Sequence, residues 1–208
     1  MRYTKSKALI QFESNIEDLL SKCIEGKNTK VSYNLKTLAF QGAILLTCSA
    51  LENYFKSLID DWLFSLKSQN ATFINLPIKT RKVIYIRNQN TLFKSFNFNG
   101  NEHEAASKLN LNTLAFIILD DSACLPAYIK GHHIYGNKKY PSVDNIKKLF
   151  STLDVENIFK YMNKRYERNY ELDIESFLGI REALAHEFPP NVTYRDTKRH
   201  LVNIQAVV

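Results

Sequence analysis

Apolar positions recur along this chain at intervals of three and four, the mark of helices that bury one face. From Ser6 to Glu25, Leu9, Phe12, Ile16, Leu19, Leu20 and Cys23 keep that spacing. Gly26-Lys27-Asn28 then reads as a left-handed cap and turn. A longer helix is expected from Asn34 to Ser68. Its stripe of Ile44, Cys48, Leu51, Phe55, Leu58, Trp62 and Leu66 advances by 4, 3, 4, 3, 4 and 4 residues. A second row, Leu35, Leu38, Gly42 and Leu45, widens the apolar face near its start, which places this helix at the centre of its domain. Glu52 sits against the stripe between Cys48 and Phe55, as a partly exposed carboxylate at its edge.

The middle of the chain is less regular. Lys82-Val83-Ile84-Tyr85-Ile86 suits strand or helix, and its helical flanks favour helix. Phe93 to Asn99 alternates as a strand does and meets a turn signal at Gly100. Residues 102–121 read as helix, and Pro126 to Pro141 as a loop. Ser142 is placed to cap a helix from Val143 to Leu153, and another is expected from Val155 to Arg168. Ile174, Phe177, Leu178, Leu184 and Ala185 make one apolar face of the next. Pro189-Pro190 breaks the chain, and Thr193 with Asp196 resembles a capping box opening a final helix through Leu201 and Ile204. The expected architecture is therefore all-α: a helical bundle in a single domain over residues 1–208. Residues 70–135 form a less regular region inserted between the core helices.

Composition narrows the function. With 6 Gly and 5 Pro in 208 residues, linker-rich and collagen-like chains are excluded, and the length suffices to bury a core. Three cysteines without a CxxC pair support neither a disulfide framework nor a cysteine zinc site, and fit a reducing cytosol. The longest apolar stretch, Leu38 to Leu51, is too short to span a bilayer, and the first residues lack a signal-peptide core. A cytoplasmic protein with no membrane partner is expected. The net charge of +7 favours an anionic partner, of which nucleic acid is the commonest. Lys160, Lys164, Arg165 and Arg168 follow one another at spacings of 4, 1 and 3, interleaved with Tyr161 and Tyr166. With Lys147-Lys148 and Lys138-Lys139 they suit a nucleic-acid phosphate backbone, a solvated helix face being the alternative. The His132-His133 pair has no acidic or cysteine partner at ligand spacing, so no metal site and no cofactor are expected. No P-loop, GxSxG, HExxH or GxGxxG pattern occurs.

The segment Arg181-Glu182-Ala183-Leu184-Ala185-His186 carries the candidate chemistry. Arg181 lies three or four residues from Phe177, Leu178, Leu184 and Ala185, hence on the apolar stripe. A guanidinium there either lines a cleft that meets an anion or pairs with a carboxylate such as Glu52. His186 is five residues further, about 500° around a regular helix, and shares a face with Arg181 only if the helix ends there, as the Pro-Pro break allows. Histidine moves protons near neutral pH and arginine stabilises charge building on a phosphate, a combination suited to phosphodiester cleavage.

Phe177 to His186 resembles the signature helix of the HEPN superfamily, in which an Arg is followed by a polar residue and then by Ala-His at the helix end. The long helix with Ser49-Ala50-Leu51-Glu52 and the segment Tyr140-Pro141-Ser142 through Phe150 are similar to parts of the RiboL-PSP-HEPN group and related HEPN-like nucleases. The resemblance implies a HEPN-like helical bundle acting as a metal-independent endoribonuclease. Arg181 and His186 from two protomers would share one cleft, Arg181 on the scissile phosphate and His186 as acid and base through the RNA 2′-hydroxyl. It implies a homodimer, expected here through the helices around residues 155–186, and a role in toxin–antitoxin or anti-phage, abortive-infection defence with a possible antitoxin or defence-system partner protein. Two positions depart from the pattern. Glu182 stands where Asn is commonest and would repel a phosphate if it faced the cleft. Phe188 stands where one toxin branch carries a modified Tyr. Glu182 and Glu52 are thus candidate modulators. The alternative reading is a catalytically silent HEPN module binding RNA, nucleotide or a partner protein.

Overall fold

The computed structural model describes residues 4–27, 30–99, 117–136, 140–186 and 191–208, with the backbone alone for 91–99. Helix α1 spans Lys7–Gly26 and buries Ala8, Phe12, Ile16, Leu19 and Cys23. The Ser6 hydroxyl caps its start by accepting from the Leu9 N–H at 3.1 Å. At its end Lys27 is right-handed and its N–H closes on the carbonyls of Cys23, Ile24 and Glu25, so neither Gly26 nor Lys27 is the left-handed residue of the expected cap. Asn28 lies outside the described residues.

Helix α2, Tyr33–Ser68, runs 36 residues, about 54 Å at the usual rise. It buries Ile44, Cys48, Leu51 and Phe55 and then Ile59 and Leu63, while Leu58, Trp62 and Leu66 are only half-buried. The buried face turns because the 117–136 segment, tied to Asp60 and Lys67, lies on that side of the second half. The second row is overturned. Leu35, Leu38 and Leu45 are 58%, 65% and 42% exposed, and a Cβ on Gly42 would meet open space. Asp61 anchors α1 to α2 by accepting from the Ala8 N–H at 2.7 Å.

A 3-10 turn, Phe73–Asn75, leads into α3, Ile78–Asn99. The run Lys82 to Ile86 is helical, as its flanks suggested. The strand-like alternation of 93–99 is helical too, and among the described residues the sole β pairing is an isolated bridge between Thr72 and Cys124. Residues 118–121 form turns where helix was expected, and 100–116 lie outside the described residues. Helix α4, His132–Tyr135, is a single turn within the expected loop. This irregular region is held by charged side chains reaching its backbone. Arg81 donates to the Ile118 carbonyl at 3.0 Å, Arg87 to those of His133 and Ile134 at 3.0 and 2.6 Å, and Lys67 to those of Ala127 and Ile129.

Helix α5, Val143–Thr152, starts at the Ser142 cap. Helix α6, Ile158–Tyr166, is shorter than expected at both ends. Asn157 caps its start, and Glu167, left-handed at φ 50°, stops it before Arg168. Helix α7, Tyr170–Ala185, buries Ile174, Phe177 and Leu178, but Ala185 is exposed. Helix α8, Tyr194–Val207, opens with the Thr193–Asp196 capping box, whose side chains meet at 2.6 Å. One apolar cluster joins Phe12, Ile16, Ile44, Leu51, Phe177 and Ile204, and the fold is all-α. A smaller one, Cys23, Phe40, Ala43 and Val192, receives Ile180 and Leu184 and seals the end of α7 against α2.

Candidate active site

Three pieces of chain meet at the last turns of α7. Arg181 follows the buried residues Ile174, Phe177 and Leu178 by one helical turn or two, so its stem lies on the core stripe, as the spacing predicted. Its guanidinium stands over the Tyr140 ring, 5.3 Å from the centroid. It also hydrogen-bonds the Cys48 thiol on α2, where Arg181 acts to lower the thiol pKa. Burial outweighs this and, with Glu52, holds the thiol above its usual value, so Cys48 is a neutral, inert neighbour and not a nucleophile. Tyr140 is fixed by its own backbone, since its carbonyl accepts from the Asn145 side chain at 2.8 Å at the start of α5.

Glu52 belongs to the same group. Its charge reaches Cys48, Tyr135 and Tyr140; burial first and Glu52 second push the Tyr135 phenol up to about 12. The expected pairing of Glu52 with this region is therefore electrostatic reach into a cluster that contains Arg181. Glu182 is exposed on the next position of the helix, and its carboxylate also raises the Tyr140 phenol, behind burial and Cys48. Both candidate modulators thus act on Tyr140, the ring under the guanidinium.

His186 ends α7. At φ −91° and ψ 169° it has left the helix, and its N–H still closes on the Ala183 carbonyl at 3.3 Å. The imidazole is exposed. A ψ of 169° re-aims the chain after His186 rather than its side chain, and among the described residues no hydrogen bond or ring contact joins the imidazole to Arg181. Phe188, Pro189 and Pro190 lie outside the described residues.

The basic residues divide. Lys147 is bound by Glu171 at 2.5 Å, and Arg168 by Asp173 at 2.6 Å, so these two serve the packing of α7. Asp173 further accepts from Asn203 at 3.0 Å, joining α7 to α8. Lys148, Lys160, Lys164 and Arg165 are exposed, and no carboxylate among the described residues pairs with them. Lys138 and Lys139 lie outside the described residues. His132 and His133 stack at 3.9 Å, and among the described residues no group of three or more His, Cys, Asp and Glu could hold a metal ion. No described helix is long and apolar enough to cross a membrane.

Sequence reasoning missed Cys48 and Tyr140 as neighbours of Arg181, and Tyr135 as a group that Glu52 reaches. Cys48 carried a signal, one turn before Glu52 on the central stripe. Tyr140 did too, as the first residue of the segment before α5. No curated protein and no solved structure matches the chain. The family model RiboL-PSP-HEPN matches residues 11–208, nearly its whole length, and the chain belongs to that family.

Proposed function

We propose that this HEPN module is a metal-independent endoribonuclease in which Arg181 and His186 cleave RNA, in the setting of toxin–antitoxin or abortive-infection defence. The observation that carries the reading is the placement of the family's Arg–His pair. Arg181 is fixed by a thiol and an aromatic face at the end of α7, and His186 is exposed where the helix stops. A guanidinium has five N–H donors, and the thiol contact leaves others to meet a phosphate. The 2′-oxygen would lose its proton to a neutral His186, attack phosphorus and expel the 5′-oxygen, which takes a proton as it leaves. The products are a 2′,3′-cyclic phosphate and a 5′-hydroxyl. Arg181 would stabilise charge on the phosphoryl oxygens.

One imidazole cannot be neutral base and protonated acid in the same step. A second copy supplies the other state, which is the chemical case for a homodimer. The outward face of α6 is cationic and repels its own two-fold image. The exposed leucines of α2, which run up to the turn before Cys48, have no such objection. We therefore place the two-fold contact at the α2 row and the end of α7, away from the rest of the 155–186 surface.

The silent binding module remains the second reading, favoured by Glu182, whose charge reaches the Tyr140 phenol under Arg181. Incubation of the purified protein with total RNA in EDTA separates the two. The nuclease reading expects cleavage by wild type and none by His186→Ala. Cleavage that survives His186→Ala, or that needs added Mg²⁺, overturns it.

A further inference from the structure

A large open groove lies between α2, α5, α6 and the end of α8, and neither Arg181 nor His186 lines it. Its volume is about 1730 Å³, beyond the roughly 300–1,000 Å³ that suits a single small molecule. The floor is aromatic, with Tyr54, Phe55, Phe150 and Phe159 from three helices. The rim carries four cations, Lys79, Lys160, Lys164 and Arg165, against the carboxylates of Asp154 and Glu156. Lys79 and Asp154 satisfy each other at 3.4 Å, which leaves the cations of α6 in excess.

Two tyrosines complete the rim. Tyr161 is 70% exposed and Tyr166 59% exposed, and both line the groove. On α6, Lys164 and Arg165 are the i+3 and i+4 neighbours of Tyr161, so an uncovered ring is flanked by charges on one helix face. The Arg165 guanidinium lies 5.5 Å from the centroid of the Tyr166 ring. Exposed rings beside cations of α6 at the rim of one open groove match the two parts of a single strand, bases that stack and phosphates that carry charge. A duplex fits poorly, because its base faces are already stacked on each other.

We propose that this groove seats an unpaired stretch of RNA, with bases on Tyr161 and Tyr166 and phosphates on Lys160, Lys164 and Arg165, as a binding site separate from the Arg181 and His186 centre. The inference extends the ribonuclease reading by naming the form of the RNA, but it rests on binding alone.

The test uses the full chain and a fluorescein-labelled 2′-O-methyl RNA dodecamer, which lacks the attacking hydroxyl and cannot be cut by the proposed route. Affinity is read by fluorescence anisotropy for the single strand and for the same sequence as a duplex. Wild type is expected to prefer the single strand. Tyr161→Ala with Tyr166→Ala should weaken single-strand binding by about tenfold or more. Lys160→Gln with Lys164→Gln should lower the slope of log affinity against log salt by about 1.4. All four side chains are exposed, and unchanged far-UV circular dichroism checks the fold. Undiminished affinity in both double variants, or equal affinity for the duplex, overturns the groove as an RNA site and leaves the nuclease reading standing. Binding that depends on the groove in a protein that cleaves nothing upholds the groove and sinks the nuclease reading.

Discussion

The contact between Arg181 and Tyr140 predicts a measurable coupling. At 5.3 Å from the ring centroid, with both residues half-buried, the guanidinium lies within the range where a cation and an aromatic face attract. Such pairs contribute about 0.5–2 kcal/mol. A double-mutant cycle isolates it: Arg181→Met, which keeps the apolar stem and removes the charge, Tyr140→Leu, which removes the ring, and the two together. Urea unfolding followed by circular dichroism gives the four stabilities. The loss of the Cys48 hydrogen bond occurs in both Arg181→Met backgrounds and cancels. The expected interaction energy is about 1 kcal/mol. Repeating the cycle with Tyr140→Phe in place of Tyr140→Leu isolates the hydroxyl, and that coupling should fall close to zero because Phe keeps the π-face. If Arg181 works on phosphate, loosening it in Tyr140→Leu should lower kcat about 2- to 30-fold, the rate equivalent of that energy. Tyr140→Phe should stay within about twofold of wild type. A coupling below about 0.3 kcal/mol in the Tyr140→Leu cycle, or one just as large in the Tyr140→Phe cycle, refutes the placement of the guanidinium on the ring.

Further predictions follow from single residues. His186→Ala should abolish cleavage, and with it the growth arrest that the toxin reading expects on induction of wild type, while changing stability by at most about 1 kcal/mol in thermal melts, because the imidazole is exposed and the backbone bond to Ala183 needs no side chain. Glu182→Asn should tighten RNA binding or speed cleavage, read by anisotropy and single-turnover assay, because an exposed carboxylate next to Arg181 in the chain is removed; weaker binding would place Glu182 away from the cleft. Gly136→Ala should cost about 2 kcal/mol or more in urea unfolding, because φ 67° with ψ −154° is a glycine conformation and the new Cβ would lie 2.6 Å from the Arg87 guanidinium. His200 is 2% exposed, with neither ring nitrogen bonded among the described groups, and burial lowers its pKa against the smaller pull of Asp196 and Asp173. The unfolded chain then takes up the proton first, so this stability is present above about pH 6.5 and lost as pH falls towards the depressed folded value. His200→Leu should flatten urea-unfolding stability between about pH 6.5 and 5, and an unflattened profile would assign the loss to other groups.

Legibility in the sequence followed the range of the forces involved. Helix boundaries set by local chemistry were readable: Ser6, Ser142 and Thr193 cap the helices they precede, and α2 begins one residue before its expected start. The family assignment rested on the segment around Arg181 and holds over residues 11–208. The errors came where tertiary partners decide. The alternation at 93–99 is a sound strand signal locally, yet a strand needs a neighbour and the described chain offers none. The row Leu35, Leu38 and Leu45 has helical spacing, but periodicity shows only that a face is apolar, not that the same chain covers it. The 117–136 region was opaque because Arg81, Arg87 and Lys67 hold its carbonyls from other helices, and nothing in its own pattern records those bonds.

The candidate site shows why a charged residue on an apolar stripe carries so much information. Spacing alone puts Arg181 among Ile174, Phe177 and Leu178, where an unsupported guanidinium would cost several kcal/mol. The structure supports it with a thiol and an aromatic face, and neither neutralises it. A residue needed only for packing would be held more stably by an apolar side chain in the same place. A residue needed only as a surface charge would be cheaper on the exposed side of α7. A guanidinium held by a thiol and an aromatic face is suited to meet an anion that arrives from outside, which is what the ribonuclease reading asks of it. The same logic distinguishes Arg181 from Arg168, which is built from the same chemistry but closed by Asp173 at 2.6 Å and so committed to joining α7 to its neighbours.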